Sequence, residues 1–217
     1  MRQQTLMPMA ALLGLALIPW PAAASRVQPP ERLQAAAVPP LEDPEYPQGA
    51  DTRTISVLPA PPPGELIVNG GFEFGTAGWR TRDVAIGAEA GTMEPHTGAA
   101  AAWFSGWQNG TPETLRQTVA IPAAAASARL SYWLHIETYG DAPGAVDSFT
   151  VKARAEGGPL AILDTRSNLD GAPGYQRRSI DLGAYRGRTV ELSFVAHDSP
   201  LGVNTAFTLD DVSLVAQ

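Results

Sequence analysis

From Leu66 onward, apolar residues recur at every second position in short runs, and each run is closed by Gly, Pro, Asn or Asp. Period two marks half-buried strands, because successive side chains point to opposite faces. No run of useful length carries the 3.6-residue period of a helix. The pattern predicts strands near Leu66–Val68, Val84–Gly87, Ala99–Phe104, Thr114–Ile121, Ala128–Glu137, Ser148–Ala155, Leu160–Asp164, Arg177–Asp181, Thr189–His197 and Ala206–Val215. Short strands broken by turn residues point to an all-β sandwich. The roughly 150 residues available suffice for one core of that kind.

Alternation also assigns faces. Leu130, Tyr132, Leu134 and Ile136 form an inward set, which leaves Trp133, His135 and Glu137 outward. Val190, Leu192, Phe194 and Ala196 form a second inward set, while Thr150 and Lys152 face out. These three outward faces are expected to form either one wall of a binding surface or a solvated sheet face. His135 and His197 could be neighbours there. The last run breaks its own register: Phe207 and Leu209 share a face, and then Val212 and Leu214 take it over. An extra residue is needed at Asp210-Asp211, which predicts a β-bulge.

The first 64 residues have a different texture. Arg2, the apolar run Ala10–Ile18 and the small residues Ala22-Ala23-Ala24-Ser25 read as a secretory signal peptide over residues 1–24. The apolar run is too short for a permanent bilayer span. Residues 25–64 are rich in Pro and Ala, including Pro29-Pro30, Pro39-Pro40 and Pro61-Pro62-Pro63. Proline fixes φ and lacks an amide donor, so a disordered linker or tail of polyproline II character is expected there. Thr54–Leu58 is a candidate edge strand docked on the domain. The sandwich itself is expected over residues 65–217.

The chain has no cysteine and a net charge of −7. Disulfides and cysteine chemistry are excluded. The acidic balance, with no basic cluster, argues against nucleic acid and against anionic lipid as partners. No second long apolar run exists, so no membrane insertion is expected once a signal is removed. A secreted location, extracellular or periplasmic, follows.

Leu66-Ile67-Val68-Asn69-Gly70-Gly71-Phe72-Glu73, followed by Gly78-Trp79, resembles the opening of calcium-containing jelly-roll carbohydrate-binding modules. Phe207–Leu214 resembles their last strand. Leu115–Pro122, Leu130–Glu137, Ser167–Leu169 and Tyr175–Ser199 resemble galactose-binding-like β-sandwich domains appended to bacterial secreted peptidases. The resemblance implies a galactose-binding-like jelly roll, export and a non-catalytic role. It carries calcium-ligand roles onto Glu73 and Asp210, with Gly71 and Thr97 adding backbone carbonyls. One ion would then tie the two ends of the domain together. The alternative is that Glu73 caps the turn after Gly71 and Asp210 bonds local amides.

For a ligand, aromatic side chains are the candidates. Trp107 sits in the loop-like Ser105–Gly110, and Trp133 lies on an outward face beside His135; Trp103 and Tyr139 are also available. Trp79 and Tyr185 read as packing. Catalysis has no motif behind it. His96, His135 and His197 show no zinc spacing, and no Gly-x-Ser-x-Gly elbow is present. The expectation is therefore a secreted, non-catalytic module that binds a glycan or another extracellular ligand such as a protein, with a structural calcium ion. The alternatives are an envelope structural or protein-interaction module, an accessory domain acting with a separate secreted enzyme, or a small hydrolase.

Overall fold

The computed structural model describes residues 58–88, 93–105, 110–141, 144–200 and 204–217. The predicted signal peptide, residues 25–57 of the predicted linker, and Trp107 lie outside the described residues. Ten strands follow in chain order: β1 (Arg80–Arg82), β2 (Ala85–Gly87), β3 (Ala101–Ser105), β4 (Glu113–Ala120), β5 (Ala128–Tyr139), β6 (Ser148–Ala155), β7 (Leu160–Ser167), β8 (Gln176–Asp181), β9 (Thr189–His197) and β10 (Asn204–Ala216). They form two five-stranded sheets, in the orders β1-β4-β9-β6-β7 and β2-β3-β10-β5-β8. Every pairing is antiparallel. This is the all-β sandwich that the alternation predicts.

The inward sets meet between the sheets. Leu130, Tyr132, Leu134 and Ile136 are buried from one sheet, and Val190, Leu192, Phe194 and Ala196 from the other. Rings dominate the layer: Phe104 meets Phe149 edge-on at 5.2 Å, and Tyr132 meets Phe194 edge-on at 5.7 Å. Trp79 is buried in the same core, as expected for a packing residue. Burial of large apolar side chains at roughly 1.5–3 kcal/mol each is what holds a disulfide-free sandwich together.

The opening segment departs from expectation. Leu66–Val68 forms no strand; a single bridge joins Glu65 to Val215. The reason lies in its partners. Leu66 N–H donates to the Leu214 carbonyl at 2.9 Å, but Val68 is held by a side chain. Gln117 Oε1 accepts from Val68 N–H at 2.8 Å, and Gln117 Nε2 donates to the Val68 carbonyl at 3.0 Å. A strand the periodicity misses, β1, is three exposed residues paired to β4.

The Asn-Gly-Gly-Phe-Glu run then makes a compact turn. Asn69 and Phe72 take φ of 56° and 60°. Asn69 Nδ2 donates to the carbonyls of Gly75 and Ala77 at 2.9 and 3.0 Å, and its Oδ1 accepts from Phe74 N–H. Gly70 lies so close to β10 that a Cβ there would sit 1.8 Å from the Val212 carbonyl oxygen. Opposite it is the predicted bulge: the β10–β5 register shifts between Asp210 and Ser213, and Asp211 has a φ of 45°.

The three outward faces do not form one wall. β5 lies in the second sheet, while β6 and β9 lie in the first. For the same reason His135 and His197 stand on different sheets and are not neighbours.

Candidate functional site

The outer face of the second sheet is not a plain solvated surface. Register aligns Asp210 with Trp133, Thr208 with His135, and Thr208 with Trp103, so all five share that face. The segment Met93–Ala100 crosses over it. Met93 packs on Trp103 and Ala101 in a small second core. Trp103 is 2% exposed and donates Nε1–H to the Gly87 carbonyl, which removes it from the available aromatics.

Further along the face four rings meet. His96 stacks on Trp133 with centroids 4.0 Å apart and planes at 20°. Tyr175, from the turn before β8, stands edge-on to His96 at 5.2 Å and meets His135 at 5.4 Å. All four side chains are half-buried. Tyr175 donates its hydroxyl to the Glu94 carbonyl at 3.0 Å. Burial, and then the nearby Asp210 and Asp211 carboxylates, hold that phenol above its ordinary range. Trp133 and His135 are thus brought together as the sequence suggests. His96 and Tyr175 are the partners that sequence reasoning missed. Pro95-His96-Thr97-Gly98 drew notice only for the Thr97 carbonyl, and nothing in the sequence says that this segment folds across β5.

Next to the rings, the two ends of the domain close on the same segment. Asp210 is fully buried, and its Oδ2 accepts from the amides of His96 at 2.8 Å and Thr97 at 3.1 Å. Its Oδ1 accepts from Asp211 N–H at 2.7 Å. Desolvation raises its pKa to about 6, against the pull of those three amides. Asp211, re-aimed by the bulge, takes the His96 ring at 2.6 Å on Oδ2 and the Thr97 hydroxyl at 2.8 Å on Oδ1. An ionised carboxylate only accepts, so the imidazole carries its proton on Nδ1. Glu73 reaches the other end of the segment and accepts from the amides of Ala99 and Ala100 at 2.9 and 3.1 Å. Gly98 is fitted to this contact: a Cβ there would lie 2.1 Å from Glu73 Oε1. Gly71 abuts Asp211, with 3.5 Å from its would-be Cβ to Oδ1.

Glu73, Gly71, Thr97 and Asp210 therefore converge around one segment. Their chemistry suits a hard cation in two respects: Asp210 is a buried carboxylate opposed only by amide dipoles, and each carboxylate keeps lone pairs beyond those the amides use. Among the described residues, no three His, Cys, Asp or Glu side chains group to hold a metal. Most of the six to eight oxygens calcium takes would have to be backbone carbonyls and water.

No protein-family model matches the chain, and no curated protein matches it. Solved structures do. A carbohydrate-binding module, TmCBM61, solved in complex with β-1,4-galactotriose, is 19% identical, with a TM-score of 0.51 over 70% of this chain and 99% of that one. The xylan-binding domain CBM22-1 of Paenibacillus barcinonensis Xyn10C is 18% identical over 72% of this chain and 97% of that one, with a TM-score of 0.46. An adhesin domain of Lys-gingipain from Porphyromonas gingivalis is 15% identical over 69% and 99%, also at 0.46. At such identities likeness speaks to fold alone. With its two antiparallel five-stranded sheets and its opening segment clasped to a bulged last strand, the chain has a β-sandwich fold similar to that of the galactotriose-bound module.

Proposed function

We propose that the chain is a secreted, non-catalytic module that binds a glycan on the outer face of its second sheet. The observation that carries this reading is the patch of Trp133, His96, Tyr175 and His135, four contacting rings outside the core on a face where alternation calls for solvated residues. Sugar rings present apolar C–H faces between hydroxyls, so they pack on aromatic surface while polar edges take their hydrogen bonds. Half-buried imidazole and indole edges and the Asp211 carboxylate supply such partners. The sandwich shared with a module solved on a galactotriose is compatible with this use of the fold. Secretion rests on the signal-like start of the sequence. Glu73 and Asp210, with carbonyls of Gly71 and Thr97, are the residues that would hold a structural calcium ion. Its positive charge would stabilise the buried Asp210.

A glycan array, followed by titration of the best ligand, tests the reading. Trp133→Ala and Tyr175→Ala should each weaken binding about tenfold or more, a loss of about 1.4 kcal/mol or more, while circular dichroism retains the sheet signal. Wild-type affinity in both variants would move the site off this face.

A further inference from the structure

The edge strands β7 and β8, one from each sheet, flank a cleft of about 380 Å³ lined by Leu163, Asp164, Arg166, Arg177, Arg178 and Ile180, together with Ser179. In a chain with a net charge of −7, three arginines around one cleft are a local reversal of sign. Their partners are unequal. Asp164 is already saturated: it binds Arg166 through both oxygens, at 2.8 and 3.2 Å, and accepts the Tyr132 hydroxyl at 2.7 Å and the Thr165 amide at 2.9 Å. Asp170 takes the Ser167 amide and hydroxyl and lies 3.8 Å from Arg166. Neither Arg177 nor Arg178 has an ion-pair partner among the described residues. Arg178 sits opposite Tyr132 in register, so it points inward, and its Nε is buried with no hydrogen-bond partner. A buried guanidinium N–H without an acceptor is costly, and an oxyanion is the acceptor that a guanidinium binds most strongly.

We infer that the β7–β8 cleft is an oxyanion subsite, and that the glycan taken by this module is an acidic one, carrying uronate carboxylates or sulfate esters. This rests on the glycan reading above. The planar guanidinium fork matches either oxyanion with paired hydrogen bonds. Arg177 provides continuity, because it pairs in register with Trp133 and so joins the cleft to the ring patch. Leu163 and Ile180, both packed on the core, give the cleft an apolar floor. Inward charges on edge strands also discourage sheet-to-sheet aggregation, but that role is served by any charge and does not call for two unpaired arginines around a cavity.

The test uses the full chain and its Arg178→Met and Arg177→Gln variants. Titration with oligogalacturonate, a chondroitin sulfate oligosaccharide and a neutral β-1,4-galacto-oligosaccharide should show one or both acidic ligands binding at least tenfold tighter than the neutral one. Each arginine variant should lose about tenfold for the acidic ligand and nothing for the neutral one, whereas Trp133→Ala should weaken both. Preference for galacturonate identifies a carboxylate site, and preference for chondroitin sulfate a sulfate site. Without ligand, Arg178→Met should keep or raise the melting temperature, because a buried N–H without an acceptor is removed; a clear fall would make Arg178 structural and overturn the subsite. Neutral binding untouched by the arginine variants, with no acidic preference, would overturn the subsite and leave the glycan reading standing. Should no oligosaccharide bind, the arms that remain are free galacturonate and inorganic sulfate, read by the Arg178 Nε resonance in NMR. A shift with either supports the oxyanion site, and no shift with both overturns it.

Discussion

Gly70 shows how much a single position can decide. Its would-be Cβ falls 1.8 Å from a backbone oxygen of Val212, and the Gly70 carbonyl accepts from Val212 N–H at 3.0 Å. A side chain there cannot be accommodated by a rotamer change; the opening segment must leave β10. Gly70→Ala is expected to destabilise the chain by about 3 kcal/mol or more, in the range of severe single substitutions, measured by urea unfolding. Gly75→Ala serves as the control. It has a positive φ of 59°, which Gly70 does not, but no atom lies within 4 Å of its would-be Cβ, so only the backbone strain of about 1 kcal/mol applies. Asp210 makes the second residue-scale prediction. Its folded pKa of about 6 lies above the ordinary 3.8, so the folded state holds this proton more tightly than the unfolded one. The stability it contributes is fully present below about pH 4 and is lost as pH rises through 6, by about 3 kcal/mol at the limit. In chelator, Asp210→Asn should flatten that part of the pH profile.

Among the elements, the segment Met93–Ala100 does the most to convert a sheet face into a site. It buries Trp103, places His96 on Trp133, and receives Asp210, Asp211 and Glu73 from the two ends of the domain. The expected calcium ion belongs at this scale, since it would join three segments distant in sequence. With calcium at a hundredfold excess over its dissociation constant, a site present only in the folded state adds about 2.7 kcal/mol. Chelator should therefore lower the melting temperature and calcium restore it, and Glu73→Gln or Asp210→Asn should blunt the response more than Asp211→Asn. An unchanged melting temperature, with no metal found by elemental analysis, would leave the clasp to hydrogen bonds alone, those of Glu73, Asp210 and Asp211 to the segment and those of the opening turn to β10. The same elements show what a sequence can and cannot say. Alternation reads β5 and β9 correctly because in each the apolar residues that face the core alternate with residues that are mostly polar. It reads the bulge in β10 because apolar pairs on both sides of Asp210-Asp211 demand an inserted residue. It misses β1, whose three residues are all exposed. It over-reads Leu66–Val68, where the Gln117 side chain replaces a strand partner. It leaves Trp103 open because alternation names a face without naming what covers it.

At the scale of the whole molecule, the sandwich supplies a rigid frame whose core aromatics are distinct from those on the outer face. Trp79, Phe104, Tyr132, Phe149, Phe194 and Phe207 are buried between the sheets, whereas Trp133, His135, His96 and Tyr175 stand outside them. That separation lets the ring patch be changed without dismantling the core, and it is why the binding reading can be tested apart from the fold. The most direct test is NMR titration of the isotope-labelled chain with the best ligand from the array. The account predicts shifts concentrated on the Trp133 indole, the His96 and His135 imidazoles and the Tyr175 ring, with the buried Trp79 and Trp103 indoles unmoved. Shifts confined to the face of the β1-β4-β9-β6-β7 sheet, or no shift with any glycan, would contradict it.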